Sequence, residues 1–300
     1  MIYFFLIFIN CIFLLFFNSI ERQINIYDHP NEKKIHSQKI SLLGGIIFIL
    51  NISIYLLYSS FYSSLENIFG FSSNISNIIF ILSIFFLFFV GLIDDKKDLS
   101  ARIRILFLVL VISINLFVNP EINISIIKLS FSDSFSINNY SYFWTLLCFL
   151  LFINAFNFFD GINLQISGFM FAICTFFLIK NTFVDFILVI LISNFFFFYL
   201  NYKSKIFLGN NGSFFLPFIF GTLFISGYNN NSNITSDEIV ILMLIPGMDL
   251  LRLFFQRILS GSNPLKGDRE HIHHYLLKKY SLINTVLINQ FLIWIPFLFF

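Results

Sequence analysis

Two adjacent carboxylates, Asp94 and Asp95, stand where the apolar run ending Gly91-Leu92-Ile93 stops, with Asp98 one turn further on. Acids at the edge of an apolar segment are costly unless they pair or bind an ion, so their place suggests phosphate or metal chemistry. Taken alone they read more readily as a solvated loop, because Lys96, Lys97, Arg102 and Arg104 follow closely, and it is the recurrence of such groups on one face that favours chemistry. A second series, Asn154, Asn157 and Asp160, recurs every third residue just before Gly161 and Asn163. That spacing predicts three polar groups on one helix face, and their oxygens suit a hard cation such as Mg²⁺, or Mn²⁺, that also binds phosphate. Helix capping is the plainer use of Asn there, but three aligned polar groups in a Phe-rich run exceed what a cap requires.

Two further segments carry chemistry of the same kind. Gly209-Asn210-Asn211-Gly212-Ser213 is a Gly-flanked turn before an apolar run, a geometry in which backbone N–H groups can face a phosphate. An Asn-Gly turn between two helices is the bland alternative. Asp268-Arg269-Glu270-His271-Ile272-His273-His274 packs three histidines into four positions, beside Arg257 and Lys266. Without the spacing of a zinc helix, and with His273 expected to face away from His271 and His274 if the segment is helical, phosphate binding and proton transfer suit it better than zinc. Asp249 lies inside an apolar run and needs a partner, with Arg252 and Arg257 as candidates. Near the start, Asp28, His29, Lys33, Lys34 and His36 precede Gly44-Gly45, so cations, histidines and close-approach glycines are expected to face one aqueous pocket.

Elements that can position these groups follow from composition. Of 300 residues, 58% are hydrophobic and only 11% charged, against about 25% charged in an ordinary soluble domain. A water-covered surface cannot be built from so few polar groups, so the natural solvent is a bilayer. A net charge of +2 gives no basic excess of the kind that binds nucleic acid. Cys11, Cys148 and Cys174 sit in separate apolar runs with no metal-ligand spacing. The 47 Phe are spread along the whole chain and are expected to be lipid-facing filler.

Ten apolar runs are long enough to be membrane helices: Met1–Ile20, Leu42–Ser60, Ile75–Ile93, Ile103–Val118, Tyr142–Phe156, Ile166–Ile179, Phe183–Leu200, Phe214–Tyr228, Ile239–Leu253 and Leu282–Phe300. The eighth is expected to be interrupted by Pro217. The first lacks the flanking charges of a secretory signal and is expected to be a retained helix. With ten crossings, all of the 18 Lys and Arg except Lys128 and Lys180 fall on one side. The positive-inside rule then places five motif-bearing loops in the cytoplasm and both termini outside. All five histidines fall on that inner face, whereas the outer connections, rich in Asn and Ser, are expected to be spacers. The predicted fold is therefore an all-α integral membrane protein of about ten transmembrane helices, one polytopic domain over residues 1–300.

In this order the motifs resemble those of the polyprenyl-phosphate N-acetylhexosamine-1-phosphate transferases. The resemblance runs through Asp28-x-Pro30 with Lys33-Lys34-x-His36 and Gly44-Gly45, Asp94-Asp95-x-x-Asp98, Asn154-x-x-Asn157-x-x-Asp160-Gly161-x-Asn163, Gly209-Asn210-x-Gly212-Ser213 and Asp268-x-x-His271-x-His273-His274. The His-Ile-His-His ending is similar to the branch that uses UDP-N-acetylglucosamine or related UDP-sugars, rather than the phospho-N-acetylmuramoyl-pentapeptide branch with its three consecutive histidines. The resemblance implies transfer of an N-acetylhexosamine-1-phosphate from a UDP-sugar to undecaprenyl phosphate, giving a polyprenyl-diphosphate sugar and UMP, at the inner (plasma) membrane. It implies a start to a cell-surface glycan such as lipopolysaccharide O-antigen, and a homodimer is a further expectation.

Under that resemblance Asp94, Asp95 and Asp160 are the catalytic candidates, and Asn157, Asp160 and Asn210 the ligands of Mg²⁺ or Mn²⁺. Lys33, Lys34, His36, Asn154, Asn163, Arg257, Asp268, His271, His273 and His274 are the expected substrate contacts. The chain departs from the family pattern at Asn210, where Asp is usual and regarded as a metal ligand, at Leu164-Gln165 in place of Gly-Leu, and at Lys39 and Ser41 in place of prolines. Two other readings compete. One is a family member that has lost turnover and serves as a membrane scaffold; the other is a lipid-linked transporter, which would be expected to show internal repeats that this chain lacks.

Overall fold

The computed structural model describes residues 1–30, 38–62, 66–230, 234–261 and 271–298. Among these, α1 (Ile2–Leu15), α2 (Phe17–Ile24), α3 (Gly44–Tyr62), α4 (Glu66–Phe69), α5 (Asn74–Lys97) and α6 (Ala101–Val118) form the first half. The second half holds α7 (Ser141–Phe159), α8 (Gln165–Ile179), α9 (Val184–Tyr202), α10 (Asn210–Ser213), α11 (Phe215–Asn229), α12 (Ser236–Leu242), α13 (Leu244–Leu259), α14 (Ile272–Leu277) and α15 (Leu282–Trp294). The chain is an all-α membrane protein in its main architecture. Each of the ten apolar runs is helical over most of its length, but they are not alike. Four helices (α3, α5, α6 and α9), together with the continuous stretch Asn138–Phe159 around α7, are long and apolar enough to cross a membrane. The pair α1 and α2, bent by 71°, would make a sixth if it forms one span.

The breaks have local causes. Asn18, Glu21, Arg22 and Gln23 make α2 polar where α1 is apolar, so the second helix turns out of the first one's path. Pro246 has no N–H for the carbonyl of Leu242, and the run Ile239–Leu253 accordingly breaks at Met243 into α12 and α13. Pro217 acts in the same way on Ser213. It does not interrupt the eighth run, as expected from sequence, but lies in the first turn of α11, where a missing N–H costs nothing, and separates α11 from α10.

Helix α11 is the centre of the bundle: every residue from Phe215 to Tyr228 is buried, with α5 and α7 packed alongside. The Phe residues around it correct the expectation of lipid-facing filler. The largest fully buried side chains are all Phe, among them Phe69, Phe80, Phe149 and Phe156. Phe69 meets Phe80 edge-on at 4.8 Å, and Phe80 and Phe149 both lean on Phe218 of α11 at 5.3 and 5.8 Å. Lipid tails are as apolar as Phe, so what places these rings inside is close packing between helices rather than escape from solvent. Buried amides join neighbouring helices: Asn10 and Asn51 exchange side-chain hydrogen bonds at 2.7 and 3.1 Å, and Asn115 donates to Ser83 at 2.7 Å. Such pairs contribute about 0.6 kcal/mol each in a membrane.

The connections expected to be outer spacers are structured. Strands β3 (Ile126–Ile127) and β4 (Phe135–Ser136) form a small antiparallel pair. The Tyr228 hydroxyl pins it to α11 by donating to the Ile126 carbonyl and accepting from the Lys128 N–H, both at 2.6 Å. At the opposite end, β1 (Tyr27–Asp28) pairs with β2 (Ile40–Ser41), and Ser41 bridges to Ile206 beside the Gly209 turn. This end of the bundle gathers the polar motifs.

Candidate active site

A cleft of about 940 Å³ opens at that end, lined by residues from the β1–β2 hairpin, the ends of α5 and α7, the Gly209 turn and the histidine segment. Asp28, Asp94, Asp95, Asp98 and Asp160 all border it, with Asn157, Asn163, Asn210 and His274. A second cavity, of about 480 Å³ beside α7 and α13, is almost wholly apolar and touches none of these motifs.

The two adjacent acids have different surroundings. Asp98 caps α5 in the left-handed region (φ 49°), and the reversal brings the Leu99 N–H back onto the Asp94 carboxylate at 2.7 Å. Arg104, from the start of α6, faces the other Asp94 oxygen at 3.5 Å. Asp95 instead holds the Gly209 turn: it accepts the N–H of Asn210 at 2.8 Å, the N–H of Asn211 at 3.0 Å and the Asn211 side-chain amide at 2.6 Å. This corrects the phosphate-cradle expectation for the turn, since the backbone N–H groups of residues 210 and 211 are taken by the protein's own carboxylate. The turn itself needs glycine at 209, where φ is +75°.

Gly44 and Gly45 make close approaches, but to protein rather than to a ligand. A Cβ on Gly45 would lie 2.5 Å from the Gly212 nitrogen, and one on Gly44 2.6 Å from the Leu208 Cα. Gly91 on α5 abuts the same turn from the other side, with a Cβ there falling 2.5 Å from the Asn211 Cα. The turn is thus clamped between α3 and α5 by missing side chains.

From α7, Asn157 and Asp160 reach the cleft and Asn154 does not. A step of three residues advances about 300° around an α-helix, so each member of the series falls about 60° behind the last and Asn154 stands about 120° from Asp160. The Asn154 amide donates to the Leu150 carbonyl at 2.7 Å instead. Asn157 donates to the Asn210 side-chain oxygen at 2.8 Å and to the Ser213 hydroxyl at 2.5 Å. Asn163 borders the cleft and donates to Ser204 at 2.7 Å. Burial pushes the Asp160 carboxyl well above the usual carboxylate range, and neighbouring Asp95 adds to the effect, while the Gly209 N–H acts in the opposite sense.

The histidines form one cluster. His273 was expected to face away from the other two, yet its ring centre is 4.3 Å from that of His274 and parallel to His271 at 5.6 Å. The reason is that His271 is the extended N-cap (ψ 153°) of α14, outside the helical register that the expectation assumed. His273 sits against Gly161, where a Cβ would come within 2.6 Å of its Cε1. Burial, with His274 and His271 beside it, pushes its pKa down to about 3, so the ring is neutral near pH 7. Only His274 of the three borders the cleft, and Arg257, buried in α13, does not. Lys33, Lys34, His36 and Asp268 lie outside the described residues.

Three participants were not legible beforehand: Asn211 and Ser213, whose partners are far away in the chain, and the bond from His271 to Asp249. Arg252 does pair with Asp249, at 2.9 Å, as the sequence allowed. As donors for a cation, Asp160 with the amide oxygens of Asn157 and Asn210 offers hard oxygen atoms. Among the described residues no three His, Cys, Asp or Glu side chains converge as a ready-made metal cage. One or two carboxylates, with water and phosphate completing the shell, is the usual manner of Mg²⁺. Five carboxylates around one cleft repel an entering phosphate unless a cation accompanies it, so the donor set fits such an ion.

Comparison with known proteins points the same way. The model of the family described as glycosyl transferase family 4 matches residues 77–228, from α5 through α11. Similar proteins include the undecaprenyl-phosphate alpha-N-acetylglucosaminyl 1-phosphate transferases of Salmonella typhi and of Escherichia coli K12, each 24% identical over 89% of this chain and 73% of their own length. The protein of the same name from Yersinia pestis is 25% identical over the same shares.

Proposed function

Because this chain belongs to glycosyl transferase family 4, among the polyprenyl-phosphate N-acetylhexosamine-1-phosphate transferases, we propose that it transfers an N-acetylhexosamine-1-phosphate from a UDP-sugar to undecaprenyl phosphate. An oxygen of the lipid phosphate attacks the phosphorus next to the sugar, the bond to the UMP phosphate breaks, and UMP leaves. The observation that carries this reading is the convergence of Asp94, Asp95, Asn157, Asp160, Asn210 and His274 on one acid-lined cleft at the end of an apolar bundle. A lipid acceptor reaches such a site from the bilayer and a nucleotide sugar from the aqueous side. We place that side in the cytoplasm, with about ten crossings and both termini outside, on the distribution of Lys and Arg. The start of a cell-surface glycan such as O-antigen is the role that suits such a product.

Phosphoryl transfer depends mostly on positioning and on charge neutralisation, and the residues divide accordingly. Asp94, bordering the cleft beside Arg104, is assigned to align or deprotonate the acceptor phosphate. Asp95 keeps the Gly209 turn and Asn210 in place. Asp160, with the amide oxygens of Asn157 and Asn210, would hold Mg²⁺ or Mn²⁺, which supplies charge neutralisation to the phosphates. His274 and Asn163, which also border the cleft, would meet the donor's phosphates or sugar.

Membranes carrying the chain, undecaprenyl phosphate, Mg²⁺ and a panel of UDP-N-acetylhexosamines should release UMP only when lipid and metal are both present, and the active donor names the sugar. Asn210 favours one second reading, a family member without turnover, because it puts a neutral amide where the family pattern has a carboxylate. Asn210→Asp separates the two. In a live enzyme the added charge should lower the Mg²⁺ concentration for half-maximal rate by about tenfold or more. Silence with every donor, before and after the substitution, would establish the inactive reading.

A further inference from the structure

We infer that Asp249 is a positioning residue of this site: one carboxylate accepts hydrogen bonds from the Nδ1–H of His271 and the N–H of Ile272, and so sets the tautomer of His271 and the place of His274 at the cleft. The inference deepens the transferase reading and rests on it for the role of His274. Asp249 is 5% exposed, and a carboxylate so buried in an apolar helix demands donors. Among the described residues it has three: Arg252 Nη2 at 2.9 Å and the Ile272 N–H at 3.1 Å on one oxygen, and His271 Nδ1 at 2.9 Å on the other. Arg252 lies one turn along the same helix and would satisfy the charge by itself. The other two donors come from a segment 22 and 23 positions away, so what they add is the attachment of α14 to α13.

The attachment sits where it controls direction. His271 is the N-cap of α14 and Ile272 its first residue, so a carboxylate gripping both fixes the start of the helix and its rotation. The His271 carbonyl in turn accepts the His274 N–H at 2.9 Å. His271 is itself wedged against Phe158, two residues before Asp160, at 5.1 Å, and against His273. A carboxylate acceptor requires hydrogen on Nδ1, which leaves Nε2 as the acceptor nitrogen of the neutral ring. Asp249 thus acts on the cleft through His271, and His274 is the group that reaches it.

The test uses the full chain reconstituted in liposomes with undecaprenyl phosphate, with UDP-N-acetylglucosamine as the probe donor. D249N keeps the shape of Asp249 and removes its charge, and should lower kcat/KM by about 10–100-fold. H274Q should cost a similar factor, and the double variant should be no worse than H274Q within about threefold, because both changes remove the same contact. Losses that multiply, or a D249N enzyme as active as wild type, would overturn the inference. If D249N does not fold, ¹⁵N-histidine NMR of the wild-type protein without substrate decides the matter, with the His271 signal assigned by its loss in H271Q. Hydrogen on Nδ1 is the expected state; hydrogen on Nε2 alone contradicts it. A wild-type chain that shows the Nδ1 tautomer but releases no UMP refutes the transferase reading and leaves the Asp249–His271 bond standing.

Discussion

Asp95→Asn is expected to lower UMP release by about a thousandfold while the protein still inserts in the membrane. The carboxylate accepts three hydrogen bonds from Asn210 and Asn211, two of them on the same oxygen. An amide presents one oxygen and one NH₂ group, so at least one N–H of the turn would face another donor. A buried donor left without an acceptor costs about 1–3 kcal/mol, and the lost charge adds to this. Two such penalties on a site that works by positioning amount to roughly three orders of magnitude in rate. Membrane fractionation of the variant beside the UMP assay checks the result, and near-normal turnover would remove Asp95 from the site. Asp94→Asn should also abolish turnover, by a different route: it discharges the partner of Arg104 and leaves the Asp95 bonds to the turn intact.

Gly91→Ala should be nearly as damaging although it adds a single methyl group to a residue that carries no functional side chain. The new Cβ would lie 2.5 Å from the Asn211 Cα and closer still to the Asn210 carbonyl. These are backbone atoms and cannot rotate away, so α5 and the turn must separate. The separation pulls Asp95 off its three donors. Overpacking of this kind destabilises by about 1–3 kcal/mol, and the accompanying displacement of Asn210 is expected to reduce UMP release by about a hundredfold or more. Gly247→Ala is the matched control. A Cβ there meets nothing within 4 Å, and the variant should match wild type in thermal unfolding and in turnover. Equal behaviour of the two variants would show that the clamp on the turn is not tight.

The series Asn154, Asn157, Asp160 illustrates how far spacing carries. Neighbouring members share a face, and Asn157 and Asp160 do border the cleft, but the 60° lag per step turns Asn154 away from it, onto its own helix. The histidines illustrate the converse. Three rings in four positions could be seen directly, whereas their mutual contact depends on His271 lying outside the helix, which a periodicity argument cannot detect. Pro217 was visible as a helix breaker, and only its position in the first turn of α11 decided that it would part α11 from α10 rather than interrupt the eighth run.

Composition was sufficient to determine the solvent, because 11% charged residues cannot cover a soluble protein, and motif order was sufficient to point to the family. Both are sums over local residue types and need no knowledge of contacts. Which polar groups point into the cleft, and which are consumed in holding it together, was settled only by the tertiary structure. Asp95 meets Asn210 across 115 positions and Asn211 reaches the Leu42 carbonyl across 169. Helices of similar hydropathy carry no local signal for such pairings. They are selected by close packing at Gly45 and Gly91, where the absence of a side chain lets one backbone touch another.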